Sequence, residues 1–199
     1  MPIKLNGTTF NNGGTAKFNG TSLKKIVFNS TTVWEAQYDV LAGGTFKNSY
    51  SGNYSGSLNG NTSYVPFSYT SGTGITYDGS LARNNTRTGR VYITTQINAS
   101  NYSSIVFKFS TSGASWSGYN TRSGFSSCRL QFGLASALGS ATTSPTFTAS
   151  KSITSGTTIS SSYTIDISAQ TGNQYIAIWV NFPDGRAYSP WTITDIYLT

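Results

Sequence analysis

One short phrase occurs three times within the first 33 residues of this 199-residue chain. Its copies, KLNGTTF, KFNGTSL and VFNSTTV, begin at residues 4, 17 and 27. Each copy has an apolar residue, then Asn-Gly or Asn-Ser, then two hydroxyl residues and a second apolar residue. Because Asn-Gly accepts the positive φ angles of a two-residue hairpin turn, each copy predicts a strand, a tight turn and a second strand.

The segment that carries these copies, residues 1–36, is too small to hold a core by itself. So few apolar side chains bury too little surface to offset the entropy lost on ordering. We therefore expect residues 1–36 to form a β-hairpin anchor that docks onto a partner or self-associates. Eight apolar residues are predicted to supply its buried contacts: Leu5, Phe10, Phe18, Leu23, Ile26, Phe28, Val33 and Trp34.

The remainder of the chain has the two-residue alternation of β-strands, and helical periodicity is missing apart from a weak match at residues 134–138. Apolar residues alternate in 91–97, 105–109, 129–134, 163–167 and 191–198, and residues 175–180 are apolar on both faces, as in a central strand. Short strands separated by Gly, Ser and Asn predict a β-sandwich. Gly43-Gly44 predicts a flexible junction, which divides the chain into an anchor (1–36), a linker (37–44) and a sandwich domain (45–199).

The composition indicates an ordered, weakly charged β protein. Only 10% of the residues are charged and 14% are aromatic, whereas disordered chains usually have few aromatics and high charge. The formal net charge of +7 has two interpretations: attraction to an anionic polymer, or a mere scarcity of acidic residues. No nucleic-acid-binding signature occurs, so nucleic acid is not expected as a partner.

The inventory of reactive residues argues against catalysis. The chain has no histidine and one cysteine, which excludes Ser-His-Asp and Cys-His arrangements and any histidine-ligated metal. A pair of carboxylates for glycoside hydrolysis would have to come from six acidic residues. We therefore expect no enzymatic activity, no cofactor and no metal. The N-terminus lacks a secretory signal, and no stretch is long and apolar enough for a membrane span.

Two aromatic segments are the best candidates for ligand binding, because sugars are held by rings stacked on their C–H faces beside hydrogen-bonding side chains. These segments are residues 115–125 and 181–191. The predicted glycan-binding residues are Trp116, Tyr119, Arg122, Arg186, Tyr188 and Trp191. The alternative is that the rings fill the ends of the sandwich.

Two family resemblances bear on function. The pattern of Asn19-Gly20-Thr21, Val27-Phe28-Asn29 and residues 31–35 resembles the opening of structural proteins of phages and prophages. The order of strands in residues 90–199 resembles jelly-roll carbohydrate-binding domains.

Together, the resemblances imply an all-β chain with a short N-terminal β-hairpin anchor and a jelly-roll β-sandwich. They imply a virion protein, made in the host cytoplasm, that acts as a tail appendage, head fibre or capsid decoration. The expected partners are other virion proteins, which the anchor contacts, and a host surface polysaccharide, which is anionic or neutral. The chain is also expected to form a homo-oligomer, with a trimer as the preferred form. The alternatives are a free carbohydrate-binding module or a domain of a cell-wall-active enzyme, and a degraded glycan hydrolase.

Overall fold

A computed structural model describes residues 37–58, 65–77, 87–110, 129–140, 142–154, 159–182 and 190–199, together with the backbone of six short strands before them. Those six strands are β1 (Ile3–Leu5), β2 (Thr8–Phe10), β3 (Lys17–Phe18), β4 (Thr21–Ser22), β5 (Lys25–Phe28) and β6 (Thr31–Glu35). They pair antiparallel as β1–β2, β3–β4 and β5–β6. Each pair is joined by two residues of the repeated phrase, so the three predicted hairpins are confirmed. The third hairpin differs by a register shift between Ile26 and Val27.

The chain after the hairpins folds as an antiparallel β-sandwich, as the sequence predicts. In the described residues, one sheet contains seven strands: β7 (Tyr38–Ala42), β8 (Thr45–Phe46), β10 (Phe67–Thr70), β11 (Gly74–Tyr77), β14 (Ser104–Ser110), β17 (Ser162–Asp166) and β19 (Trp191–Leu198). The other contains six: β9 (Gly52–Leu58), β12 (Arg87–Ile93), β13 (Ile97–Asn98), β15 (Arg129–Ala137), β16 (Thr146–Thr154) and β18 (Asn173–Phe182).

The chain crosses repeatedly between the two sheets, as in a jelly roll. The main path of the six-stranded sheet is β16-β15-β18-β12-β9, and that of the seven-stranded sheet is β10-β11-β19-β14-β17. From β14 onward the chain passes from the seven-stranded sheet to β15 and β16, back to β17, then to β18 and β19. β18 and β19 are therefore central strands of opposite sheets, which explains why both are rich in apolar residues.

The core between the sheets comes from the residues that alternation predicts to face inward. Ile105, Phe107 and Phe109 on β14 are buried while Lys108 is exposed. The other predicted inward residues, Val91, Ile93, Ile97, Leu130, Phe132 and Leu134, are also buried. The weak helical match at 134–138 does not form a helix, because β15 continues to Ala137.

The predicted linker at 37–44 is wrong, because β7 is a strand of the sandwich. Its residues Leu41, Asp39 and Tyr38 pair with β19, about 150 residues further along the chain, and Val40 and Leu41 are fully buried. Gly43 and Gly44 form the two-residue turn between β7 and β8, with φ angles of 54° and 72°. Positive φ at both positions is what a type I′ hairpin turn requires. The sandwich therefore begins before the predicted boundary at residue 45.

Candidate functional site

The six predicted glycan-binding residues divide into two groups. Trp116, Tyr119, Arg122, Arg186 and Tyr188 lie outside the described residues, so their assignment stays a prediction. The assignment of Trp191 is wrong, because its side chain is 1% exposed and belongs to the core.

Trp191 is held in the core by its place in the sheet. It is the first residue of β19 and pairs with Tyr77 on β11. Its ring stacks on Tyr77 with centroids 5.3 Å apart and an interplanar angle of 15°, and it meets Phe109 and Phe67 edge to face at 5.6 and 6.0 Å. A ring enclosed by these aromatic neighbours cannot stack on a sugar.

A second set of large side chains lies on the outer surface of the six-stranded sheet, which we call the six-strand face. Its central row crosses four strands: Ser55 on β9 pairs with Arg90 on β12, Arg90 pairs with Trp179 on β18, and Trp179 pairs with Gln131 on β15. Directly paired residues share a face. The residues that alternate with them, such as Val91, Ile178, Val180 and Phe132, belong to the core.

Trp179 is buried without being part of that core. Its side chain is 7% exposed, yet it lies outside the cluster of residues packed between the sheets. Two more rings lie on the same face: Tyr92 and Tyr175 are half-buried and meet edge to face, with centroids 5.9 Å apart. The six-strand face thus has a buried indole and two partly exposed phenol rings.

Arg90 brings a positive charge to the centre of this face. Its Nη1 donates hydrogen bonds to the carbonyl oxygens of Leu138 and Gly139, both at 2.5 Å, and of Ser140 at 3.5 Å. Its guanidinium carbon lies 5.3 Å from the centroid of the Tyr92 ring, a cation–π distance. The side chain is 9% exposed, and this burial lowers the pKa of Arg90. Arginine nevertheless keeps its charge in proteins, so the face has a fixed cation.

The described carboxylates lie in the other sheet. Asp39, Asp166 and Asp195 belong to β7, β17 and β19. Asp195 accepts a hydrogen bond from the backbone N–H of Gly43 at 3.0 Å, which fixes the β7–β8 turn. Among the residues whose side chains are described, Arg90 has no ion-pair partner, and its charge is balanced by carbonyl dipoles and a ring.

The six-strand face also offers amide groups to a ligand. Gln131 is half-buried and donates from Nε2 to the Ser150 hydroxyl at 2.9 Å. Asn53, which pairs with Tyr92, is exposed, and Asn181 at the other end of the face is half-buried. Planar amides beside rings are the combination that binding of a sugar needs.

Sequence reasoning missed this face, although one signal pointed to it. Tyr92, Tyr175 and Trp179 alternate with core residues along their strands, so they take outward positions. The outer side of an antiparallel sandwich usually faces water. Large aromatics at outward positions of two adjacent strands therefore indicate a covered or ligand-binding surface. The apolar character of residues 175–180 indicates a central strand but does not by itself distinguish the core face from this outer face.

A tyrosine cluster at another place is the second aromatic surface. Tyr38 is 37% exposed, and its ring lies 6.2 Å from Tyr50 and 5.9 Å from Tyr102. Burial, and then the hydrogen bond with Tyr38, raise the pKa of Tyr50, and burial raises that of Tyr102. The cluster lies where the chain enters the sandwich from residues 1–36, and it has no cation among its described ring contacts.

The described residues include no group of three His, Cys, Asp or Glu side chains that could hold a metal ion. They also include no helix long and apolar enough to cross a membrane. Comparison of the chain with protein-family models, with curated proteins and with solved structures yields no match.

Proposed function

We propose that this chain is a non-enzymatic virion protein, a tail appendage, head fibre or capsid decoration, whose sandwich binds a host surface glycan. The observation that carries the glycan-binding part is the six-strand face, where the Tyr92 and Tyr175 rings lie 5.9 Å apart and the Arg90 guanidinium contacts the Tyr92 ring. The virion part is supported by the repeated hairpins of residues 1–36 and by their resemblance to phage structural proteins.

The second candidate is a free carbohydrate-binding module, which would use the same face without assembling into a particle. The hairpins favour the virion protein, because three consecutive two-stranded units need a partner to become stable. The degraded hydrolase is less well supported, since the described carboxylates belong to the sheet opposite the aromatic face.

Retention of the purified full chain on insoluble bacterial cell walls tests the proposal. The double variant Tyr92→Ala, Tyr175→Ala removes the two accessible rings, and we expect apparent affinity to fall about tenfold or more, as for aromatic hot spots. Val65→Ala is a matched control, because Val65 is 37% exposed and lies just before β10 in the other sheet. Equal retention of the double variant and the control would place glycan binding elsewhere.

A further inference from the structure

Three neighbouring polar atoms on the six-strand face are buried without a hydrogen-bond partner. They are the Ser55 hydroxyl, Nε of Arg90 and Nε1 of Trp179, each with less than 1 Å² of accessible surface. The three residues occupy consecutive positions of one cross-strand row. Native proteins rarely leave buried polar groups unpaired, and such groups commonly mark the position of an ordered water, an ion or a ligand.

The three unpaired atoms require a ligand that accepts hydrogen bonds. Nε of arginine and Nε1 of tryptophan can only donate hydrogen bonds, and a serine hydroxyl can also donate. Nη1 of Arg90 is fixed by the carbonyls of residues 138–140, which orients the guanidinium. A ligand here would have to supply oxygen acceptors, and a charged oxygen makes the stronger hydrogen bonds to arginine.

The positive charge of Arg90 also favours a ligand with negatively charged oxygens. Arg90 has no carboxylate partner among the described side chains, and the described partners of this buried cation are all neutral. Two strand spacings of about 4.8 Å each separate Ser55 from Trp179, so the three residues span roughly 10 Å, which accommodates more than a single small ion.

We propose that the row Ser55–Arg90–Trp179 binds the negatively charged oxygens of an acidic glycan, a carboxylate or a phosphate. This inference rests on the proposed glycan-binding function and names its ligand class. The three atoms have less than 1 Å² of accessible surface each in the free protein, so binding requires a local rearrangement of the side chains around them. Residues 138–140 contact Arg90 through their carbonyl oxygens, so the exchange rates of their amide hydrogens should change when ligand is bound.

The test compares Trp179→Phe with Trp191→Phe in the full chain. Both substitutions remove a buried indole N–H that has no partner, but Trp179 is on the six-strand face and Trp191 is in the core. Neither changes the net charge, so a loss of binding cannot come from weaker general attraction to an anionic polymer. Affinity is measured by calorimetry for polygalacturonate, for its neutral methyl ester and for poly(glycerol phosphate), after circular dichroism confirms that both variants are folded.

We expect wild type and Trp191→Phe to bind one acidic polymer equally, and Trp179→Phe to bind it about tenfold more weakly, the value of one hydrogen bond to a charged group. Binding of polygalacturonate would identify the ligand group as a carboxylate, and binding of poly(glycerol phosphate) would identify it as a phosphate. Equal affinity of Trp179→Phe and wild type, or equal binding of the methyl ester, would overturn the inference. Binding of neither acidic polymer would also overturn the inference. If the protein is still retained on cell walls in that case, the proposed glycan-binding function stands. If retention on cell walls is absent as well, the inference and the proposed function both fail.

Discussion

The indole rings of Trp179 and Trp191 lie on different surfaces of the sandwich. Trp191 packs between the sheets against Tyr77, whereas Trp179 lies on the outer surface between Arg90 and Gln131. Each ring's environment follows from its register, because successive side chains of a strand point to opposite faces. Position in the strand, more than residue type, decides which tryptophan can take part in binding.

Replacing Trp191 should reveal its structural role. Trp191→Ala removes a ring that is 1% exposed, and we expect the free energy of unfolding to fall by about 3–5 kcal/mol. Urea unfolding followed by circular dichroism measures the change. Val65→Ala, at a 37% exposed residue, should change the stability by about 0.5 kcal/mol or less. A similarly small effect of Trp191→Ala would mean that the ring is not part of the core.

Asp166 gives the stability a defined dependence on acid pH. Hydrogen bonds from the Ser168 hydroxyl at 2.6 Å and from its backbone N–H at 2.9 Å lower the pKa of this carboxyl. A carboxyl whose pKa is lower in the folded state stabilises the fold above its unfolded pKa of about 3.9. That contribution is lost as the pH falls through the folded pKa.

We therefore expect Ser168→Ala to raise the pKa of Asp166 towards its ordinary value, because the first of the two hydrogen bonds disappears. Carbon-detected NMR titration of the side-chain carboxyl follows the change. An unchanged Asp166 titration would show that the Ser168 hydroxyl does not stabilise the carboxylate.

At the scale of elements, the β7–β8 turn is hydrogen-bonded both to strand β19 and to the turn between β10 and β11. The backbone N–H of Gly44 donates to the Thr194 carbonyl at 2.8 Å, and the N–H of Gly72 donates to the Gly44 carbonyl at 3.1 Å. A Cβ on Gly44 would lie 2.5 Å from the carbonyl carbon of Thr73, whereas one on Gly43 would meet nothing within 4 Å. The two glycines therefore have different structural requirements, although both have positive φ.

Alanine substitutions should separate these requirements. Gly43→Ala introduces only the strain of a left-handed alanine, about 1 kcal/mol. Gly44→Ala adds a clash with backbone and should cost at least 1 kcal/mol more, as overpacking does. Thermal unfolding of the two variants measures the difference. Equal melting temperatures would contradict the close approach of Gly44 to Thr73.

Local sequence signals predict some elements of the fold and miss others. Asn-Gly or Asn-Ser turns and two-residue alternation are local signals, so they predict the three hairpins and the inward residues of β12, β14 and β15. The pairing of β7 with β19 is not local, and five residues before Gly-Gly contain nothing that distinguishes a strand from a linker. The six-strand face has the same difficulty, because alternation gives the face of Trp179 but not the neighbouring strands that bring Arg90 and Ser55 beside it.

At the scale of the whole molecule, the chain joins three two-stranded hairpins to a complete sandwich. The contrast in size predicts a division of roles, with assembly through residues 1–36 and ligand binding through the sandwich. The anchor residues Leu5, Phe10, Phe18, Ile26, Phe28, Val33 and Trp34 belong to hairpin strands, whose side chains lie outside the described residues, as does Leu23 altogether. Their contacts remain predictions.

Trp34→Ala tests the assembly role. The wild-type chain is expected to form an oligomer, with a trimer as the preferred form. We expect the variant to be monomeric, because the hairpins need intermolecular burial of apolar side chains. Sedimentation velocity measures the mass, and near-ultraviolet circular dichroism reports whether the sandwich stays folded. Thr31→Ala, in the same strand, is the control and should keep the oligomer. An unchanged oligomer mass for Trp34→Ala would argue against an anchor that depends on this ring.

The most direct measurement follows the four tryptophan indole N–H signals by NMR while the acidic polymer that binds is added to the full chain. Hydrogen bonding of Nε1 to a charged oxygen should shift the Trp179 signal strongly, whereas Trp191, enclosed in the core, should stay in place. Phe substitutions at the two positions assign their signals. A shift of the Trp116 signal with Trp179 unmoved would contradict binding at the six-strand face and would favour the loop at 115–125 instead.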